Sequence, residues 1–187
     1  MSNYYSPDEL KRLGIKYAGE NVLISKKASI YNPDKMEFGN NVRIDDFCVL
    51  SGKIIFGSFI HITAFNLIAG ADEGVFFDDF TTLAYRCLVF TRSDDYSGET
   101  LVNSMIPEKY RYNTIKQPVH IKKHVIIGAN SVIFPGVDIE EGVSVGAMSL
   151  VLKPTEPWSI YAGIPAKRIK ERKKDLLKQE ELFLRGT

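Results

Sequence analysis

Every sixth residue is apolar over three long stretches of this chain. From Ile121 the series runs Ile127, Ile133, Ile139, Val145, Val151. An earlier series in another phase reads Phe38, Ile44, Leu50, Phe56, Ile62, Ile68, and a third, Phe77, Leu83, Val89, is displaced from it by three extra residues. With 44% of the chain hydrophobic, fifteen such positions have chance odds on the order of 10⁻⁵. A second column sits two residues earlier: Val42, Cys48, Ile54, Ile60 and Asn66, then Val125, Ser131, Val137, Val143 and Ser149. Positions i−2 and i share one face of a strand because side chains alternate in and out. Each hexad therefore offers a short strand with one large and one smaller inward residue, followed by a bend, for which Gly39, Gly57, Gly128 and Gly146 are candidates. Neither amphipathic helices nor heptads generate a period of six. Three short strands per coil of about 18 residues, stacked about 4.8 Å apart, do.

The remaining sequence is ordinary for a single soluble domain. There are 187 residues, with 24 Lys and Arg against 23 Asp and Glu, so the net charge is +1. No basic field exists to gather nucleic acid. Cys48 and Cys87 are too few for a disulfide framework and lack metal-type spacing; both fall in the small inward column and read as packing. No signal-type apolar segment or run of about 18 apolar residues occurs, so a cytoplasmic protein with no membrane span is expected. Ser6-Pro7-Asp8-Glu9 reads as an N-cap, Pro at N1 and Glu at N3 of a short helix reaching about Leu13. After Pro165, Ile169, Leu176, Leu177, Phe183 and Leu184 recur amid charges as in a helix. The expected organisation is a helical cap over 1–21, a solenoid over 22–165 and a C-terminal helix over 166–187. The beat breaks from Thr91 to Pro118, an excursion with three tyrosines and both charge signs. Long loops of this kind usually carry function.

The runs IGANSV, IFPGVD, IEEGVS and VGAMSL, together with the segment YAGIPAKRIK (161–170), resemble the hexapeptide-repeat acyltransferases, nearest to sugar O-acetyltransferases of the galactoside and maltose type. The resemblance implies an all-β, left-handed parallel β-helix, acetyl-CoA as co-substrate without a metal, and a homotrimer whose clefts are each shared by two subunits. It also implies a sugar or nucleotide-sugar acceptor, approached by the excursion. Galactoside, maltose and xenobiotic acetyltransferases usually carry a His-Pro pair near the start of that excursion; here Arg92-Ser93-Asp94-Asp95 stands instead.

Transfer of an acyl group from a thioester needs a base for the acceptor's proton, a donor for the oxyanion and alignment of the coenzyme. Histidine suits the first task, and there are three. His61 precedes the inward Ile62 and should point outward, stacked in line with Arg43, Thr82, Ile126 and Ser144; it is the leading candidate. His120 is the second, and His124, in a turn slot, should be solvent-exposed. Asp94 or Asp95 could instead orient His61, bind sugar hydroxyls together with Tyr96, or serve as the base; an amine acceptor arriving unprotonated would need none. Asn66 resembles an acceptor-binding asparagine of the family, although a structural amide capping a coil fits equally. For the coenzyme, the resemblance points to backbone at Ala129 and Ala147, and to Lys153, Lys167 and Arg168, the last two toward its phosphates.

The principal reading is acetylation of a sugar hydroxyl in surface-polysaccharide biosynthesis, with N-acetylation of a nucleotide-linked amino sugar as the alternative. A zinc enzyme of the γ-carbonic anhydrase type would need three converging histidines. His120 and His124, four apart, do not offer that geometry. A non-catalytic scaffold would lack the excursion and the exit segment. Outward apolar residues such as Val49, Ile55 and Leu67 favour self-association.

Overall fold

The computed structural model describes residues 3–186; Met1, Ser2 and Thr187, at the outer ends of the expected cap and C-terminal segment, lie outside the described residues. The hexads wind into a parallel β-solenoid with three ladders. The first face stacks Val22–Ile24, Val42–Ile44, Ile60–Ile62, Thr82–Leu83, Ile126–Ile127 and Ser144–Val145. On the second face lie Ser29–Tyr31, residues 49–51 and 67–69, Leu88–Phe90, Val132–Ile133 and Leu150–Val151. The third holds Met36–Phe38, residues 54–56 and 75–77, Val119–Ile121 and Asp138–Ile139.

All fifteen large hexad positions are at most 2% exposed, and the smaller column is buried beside them. The inward rings of Phe38, Phe56 and Phe77 stack with centroids 4.9 Å apart, one coil upon the next. Identical slots on successive coils thus meet like with like. This is the lateral pairing that stabilises sheets, repeated along the axis.

The corners correct one expectation. Gly39 and Gly128 do not make the bends. Left-handed φ values fall two residues later, at Asn41 and Asn130, with Phe59 and Met148 in the equivalent slots after Gly57 and Gly146. The glycines are needed because coils approach so closely: a Cβ on Gly39 would lie 2.4 Å from the Gly57 carbonyl oxygen, and one on Gly128 would lie 2.4 Å from the Ala147 nitrogen.

Both ends of the solenoid are covered. Helix α1 (Pro7–Leu13) opens with the expected capping box: Glu9 N–H donates to Ser6 Oγ (3.3 Å) and Ser6 N–H to Glu9 Oε2 (2.7 Å). Its Leu10, 3% exposed, packs into the core. At the other end the expected helix from 166 is shorter than the sequence suggests. Lys167–Glu171 is a strand antiparallel to Ser159–Ala162, and helix α2 spans only Leu176–Arg185. The strand carries its charges outward on an edge that no further coil follows, so extended pairing replaces the helical period there.

Helix α2 folds back onto the corner between the third and first faces. Phe183 meets Phe59 and Phe80 edge-on (5.3 and 6.3 Å), and Glu180 pairs with His124 (2.8 Å) and Lys123 (2.6 Å). Arg172 Nη1 donates to the carbonyls of His124 and Gly142. His124 does occupy a left-handed turn slot, as expected, but is 6% exposed rather than open to solvent, because α2 covers it.

The excursion leaves the second face after Leu88–Phe90 and re-enters the third at Val119–Ile121. Its neck is a two-residue antiparallel ladder, Arg92–Ser93 with Ile115–Lys116. If close inter-coil approach is the reason for glycine, Gly128→Ala should destabilise the chain by about 1–3 kcal/mol through overpacking. Urea unfolding would read this as a lowered midpoint; an unchanged midpoint would contradict it.

Candidate active site

His61 projects from the middle of the first face, with Arg43, Thr82, Ile126 and Ser144 in register above and below it, as the coil lengths predict. Its side chain is 40% exposed, and Nε2 lies 2.8 Å from Asp45 Oδ2. Asp45 also accepts from Arg43 Nε at 2.7 Å. The carboxylate therefore orients the imidazole while sharing its charge with a guanidinium.

Asp94, Asp95 and Tyr96 begin the excursion just past its neck. That corner, between the second and third faces, is the one opposite the first face. Within one chain, His61 and the excursion carboxylates therefore lie on opposite sides of the prism. Asp94 Oδ2 accepts from Asn103 N–H (3.1 Å). Asp95 holds a tight turn, accepting from the N–H groups of Ser97 (2.8 Å) and Thr100 (2.9 Å). The hydrogen bonds from the Ser97 side chain and backbone, with that of Thr100, lower its pKa to about 2. Tyr96 is 90% exposed.

Asn66 faces inward and is 1% exposed. Nδ2 donates to the Thr63 carbonyl (2.6 Å), and Oδ1 accepts from Cys87 N–H (2.8 Å). Oδ1 thus ties this coil to the next while Nδ2 closes the coil's own corner, contacts that fit the structural one of the two roles the sequence left open. His120 lies outward on the third face, its Nδ1 2.7 Å from Asp138 Oδ1 and its ring stacked on Phe76 at 4.9 Å. Cys48 and Cys87 are buried. Burial pushes the Cys48 thiol up to about 11, which removes it from nucleophilic chemistry at neutral pH. Among the described residues, no group of three or more His, Cys, Asp or Glu side chains is placed to hold a metal ion. No helix there is long and apolar enough to cross a membrane.

One feature of the site was not read from the sequence. Between Ile68 and Phe77 the three extra residues bulge out at the corner of the excursion, where Asp72 and Glu73 grip Arg92. The phase slip of the hexads was the available signal. A cleft of about 360 Å³ lies beside them, with Lys35, Ala71, Phe90 and Arg92 on its walls.

No family model matches the chain. A curated relative, dTDP-4-amino-4,6-dideoxy-D-glucose acyltransferase from Escherichia coli, is 42% identical over 183 residues, covering 96% of this chain and 94% of that protein. The chain belongs to the hexapeptide-repeat acyltransferases. AntD, an N-acyltransferase from Bacillus cereus solved with dTDP and 3-hydroxybutyryl-CoA, superposes with this acyltransferase at a TM-score of 0.97 and 49% identity, covering 100% of this chain and 98% of that one. A variant of AntD solved with dTDP-4-amino-4,6-dideoxyglucose and coenzyme A is equally similar (TM-score 0.97, 49% identity, 100% of each chain). The maltose O-acetyltransferase of Clostridium difficile 630 shares the fold alone, at a TM-score of 0.54 and 18% identity over 92% of this chain and 81% of that one.

This acyltransferase takes its acyl group from a coenzyme A thioester. Of the residues expected near the coenzyme, Ala147 is exposed and Ala129 half-buried, each following a glycine in the late coils. Lys153 and Lys167 are exposed. Arg168 already has partners: Nε donates to Ser159 Oγ (2.9 Å) and lies 3.1 Å from Glu156 Oε2. Both contacts use Nε, which leaves the Nη groups to meet a phosphate. For Asn66, replacement by Ala should cost about 1–3 kcal/mol by leaving a buried carbonyl and N–H unpaired, with acceptor KM unchanged. A raised KM at unchanged stability, from steady-state kinetics beside urea unfolding, would return Asn66 to the acceptor site.

Proposed function

We propose that this acyltransferase N-acylates the amino group of a dTDP-linked 4-amino-4,6-dideoxy sugar, using acyl-CoA as donor. The supporting observation is similarity along nearly the whole chain, excursion included, to the Escherichia coli enzyme named for that substrate. Complexes of AntD with dTDP, the amino sugar and coenzyme A support it further. The sugar-hydroxyl reading thus gives way to its alternative.

The chemistry agrees. A hydroxyl must lose its proton as it attacks, and no imidazole stands at the start of the excursion, where Arg92-Ser93-Asp94-Asp95 runs. An unprotonated amine carries its own nucleophilic lone pair. It attacks the thioester carbonyl, the tetrahedral adduct expels the coenzyme thiolate, and the amine proton leaves to a nearby acceptor or to water. We assign the acceptor contacts to Asp94, Asp95 and Tyr96, Asp95 giving up a Ser97 or Thr100 hydroxyl for one of the sugar. The donor runs along Ala129 and Ala147, with Lys153, Lys167 and Arg168 toward its phosphates.

The second face supports a homotrimer. After Ser29 its outward column reads Val49, Leu67, Leu88, Val132, Leu150, with Phe90 and Phe134 beside it at 5.1 Å. The first face's outward column mixes Leu23 and Ile126 with Arg43, His61 and Thr82; the third mixes Ile55, expected on the associating surface, and Phe76 with Glu37, His120 and Asp138. Burying the apolar face around a threefold axis would bring the excursion corner of one chain beside the first face of the next. The expectation of a cytoplasmic enzyme contributing to a surface polysaccharide is kept as part of this proposal.

A mass-spectrometric matrix of acceptors and acyl-CoA donors tests the reading. Transfer to dTDP-4-amino-4,6-dideoxyglucose should exceed transfer to the matched 4-hydroxy sugar by at least about 100-fold. Equal or reversed rates would overturn it. Light scattering should give the mass of three chains, and a monomer mass would remove the shared cleft.

A further inference from the structure

The three-residue phase slip between Ile68 and Phe77 builds a contact at the root of the excursion. On the coil below, Val49–Phe56 turns the corner in eight residues; Leu67–Phe77 takes eleven. The pairs Ser51↔Ala69, Gly52↔Ala71 and Ile54↔Val75 confine the surplus to the corner itself. The surplus carries two adjacent acids outward, directly below the first residues of the excursion.

There the Arg92 guanidinium is held at three points. Nε donates to Glu73 Oε2 (2.9 Å), and Nη2 donates to Glu73 Oε1 (3.1 Å) and Asp72 Oδ2 (3.0 Å). The two bonds to Glu73 form the parallel fork that makes arginine–carboxylate pairs geometrically specific. Glu73 also accepts from Thr91 Oγ1 (3.4 Å), and Thr91 is fully buried. The Glu73 side chain is only 15% exposed, whereas that of Asp72 is 69% exposed and shared with Lys35. Burial pushes the Glu73 carboxyl up, but the Arg92 hydrogen bonds and charge outweigh it and leave the carboxyl below its ordinary value.

The neck needs such support. Its ladder is only two residue pairs, Arg92↔Lys116 and Ser93↔Ile115, and a two-stranded ladder of that length has little stability of its own. Ser93, Asp94 and Asp95 follow Arg92 directly. A swing of the neck would therefore move the carboxylates assigned to the acceptor by a comparable amount.

We propose that Glu73, seconded by Asp72, is a positioning residue that clamps Arg92 and so fixes the root of the acceptor loop for acyl transfer. This rests on the reading of the excursion as the acceptor loop. Glu73 touches no reacting atom; it acts through Arg92.

The test compares Glu73→Ala, Glu73→Gln and Asp72→Ala in the full-length enzyme by steady-state kinetics and by limited proteolysis of the excursion. Glu73→Ala should lower kcat/KM for the amino sugar by about 100-fold, the loss typical of a misplacement near 1 Å. KM for acyl-CoA should stay within about twofold, since donor contacts are not moved. Glu73→Gln keeps one acceptor for the guanidinium and should recover part of the loss, and Asp72→Ala should lose least. Cleavage within 96–106 should accelerate in the same order. Faster cleavage with unaltered turnover would reduce the clamp to a stabilising contact and overturn the proposal, as would lost turnover with unaltered cleavage. Should Glu73→Ala fail to fold, the Glu73→Gln and Asp72→Ala pair carries the same comparison. If the parent enzyme acylates no amino sugar, the functional reading falls separately, and the comparison is made with the acceptor that it does turn over.

Discussion

Stacking of one coil on the next, through a parallel backbone ladder with matched side chains on the inner surface, is the constraint from which the rest of this molecule follows. Each hexad contributes too little apolar surface to be stable alone, and becomes stable only against its neighbours in the coils above and below. The stacked phenylalanines of the third face and the buried hexad columns express that pairing. So does the exclusion of a side chain at Gly128, where the next backbone lies within van der Waals range. A scaffold under this constraint is stiff along its axis and monotonous on its faces. Irregular backbone and varied side chains are accordingly concentrated where the repeat is interrupted.

The interruptions share a corner. The surplus residues before Phe77 and the excursion after Phe90 both leave the prism between its second and third faces, and Arg92 joins them. The opposite arrangement holds at the corner covered by α2, where Phe59, Phe80 and His124 are packed away beneath Phe183 and Glu180. One corner is closed by the chain's own terminus, while another is opened into a loop that carries acidic and aromatic side chains toward solvent. Faces differ in the same sense. The second is apolar outward and suited to other copies of the chain, while the first and third carry the charged pairs Arg43–Asp45–His61 and His120–Asp138.

The solenoid, its inner columns, the capping box of α1 and the stacked neighbours of His61 were all legible in the sequence, because each depends on spacing alone. What escaped was tertiary. Nothing in the helical pattern after Pro165 shows that Lys167–Glu171 will pair with Ser159–Ala162, since edge pairing overrides a weak local preference. His124 looked exposed because its cover, α2, comes from fifty-six residues away. The glycines were correctly singled out but for a different reason, inter-coil distance rather than turn conformation. Asn66 reads as ligand or strut from sequence alone, and its partners Thr63 and Cys87 are visible only in the fold. The acceptor was the hardest to read: the proposed amine differs from a hydroxyl in how much help the nucleophile needs, and the sequence bears on that only through the lack of an imidazole beside Arg92.

The central claim is that transfer occurs to an amine at the excursion and does not depend on an imidazole of the first face. The pH dependence of kcat/KM for His61→Asn beside the parent enzyme tests it most directly. The account predicts values within about fivefold of each other, with a shared profile that follows ionisation of the acceptor amine. A loss of several hundred-fold with undiminished acyl-CoA affinity would contradict it and make His61 the base.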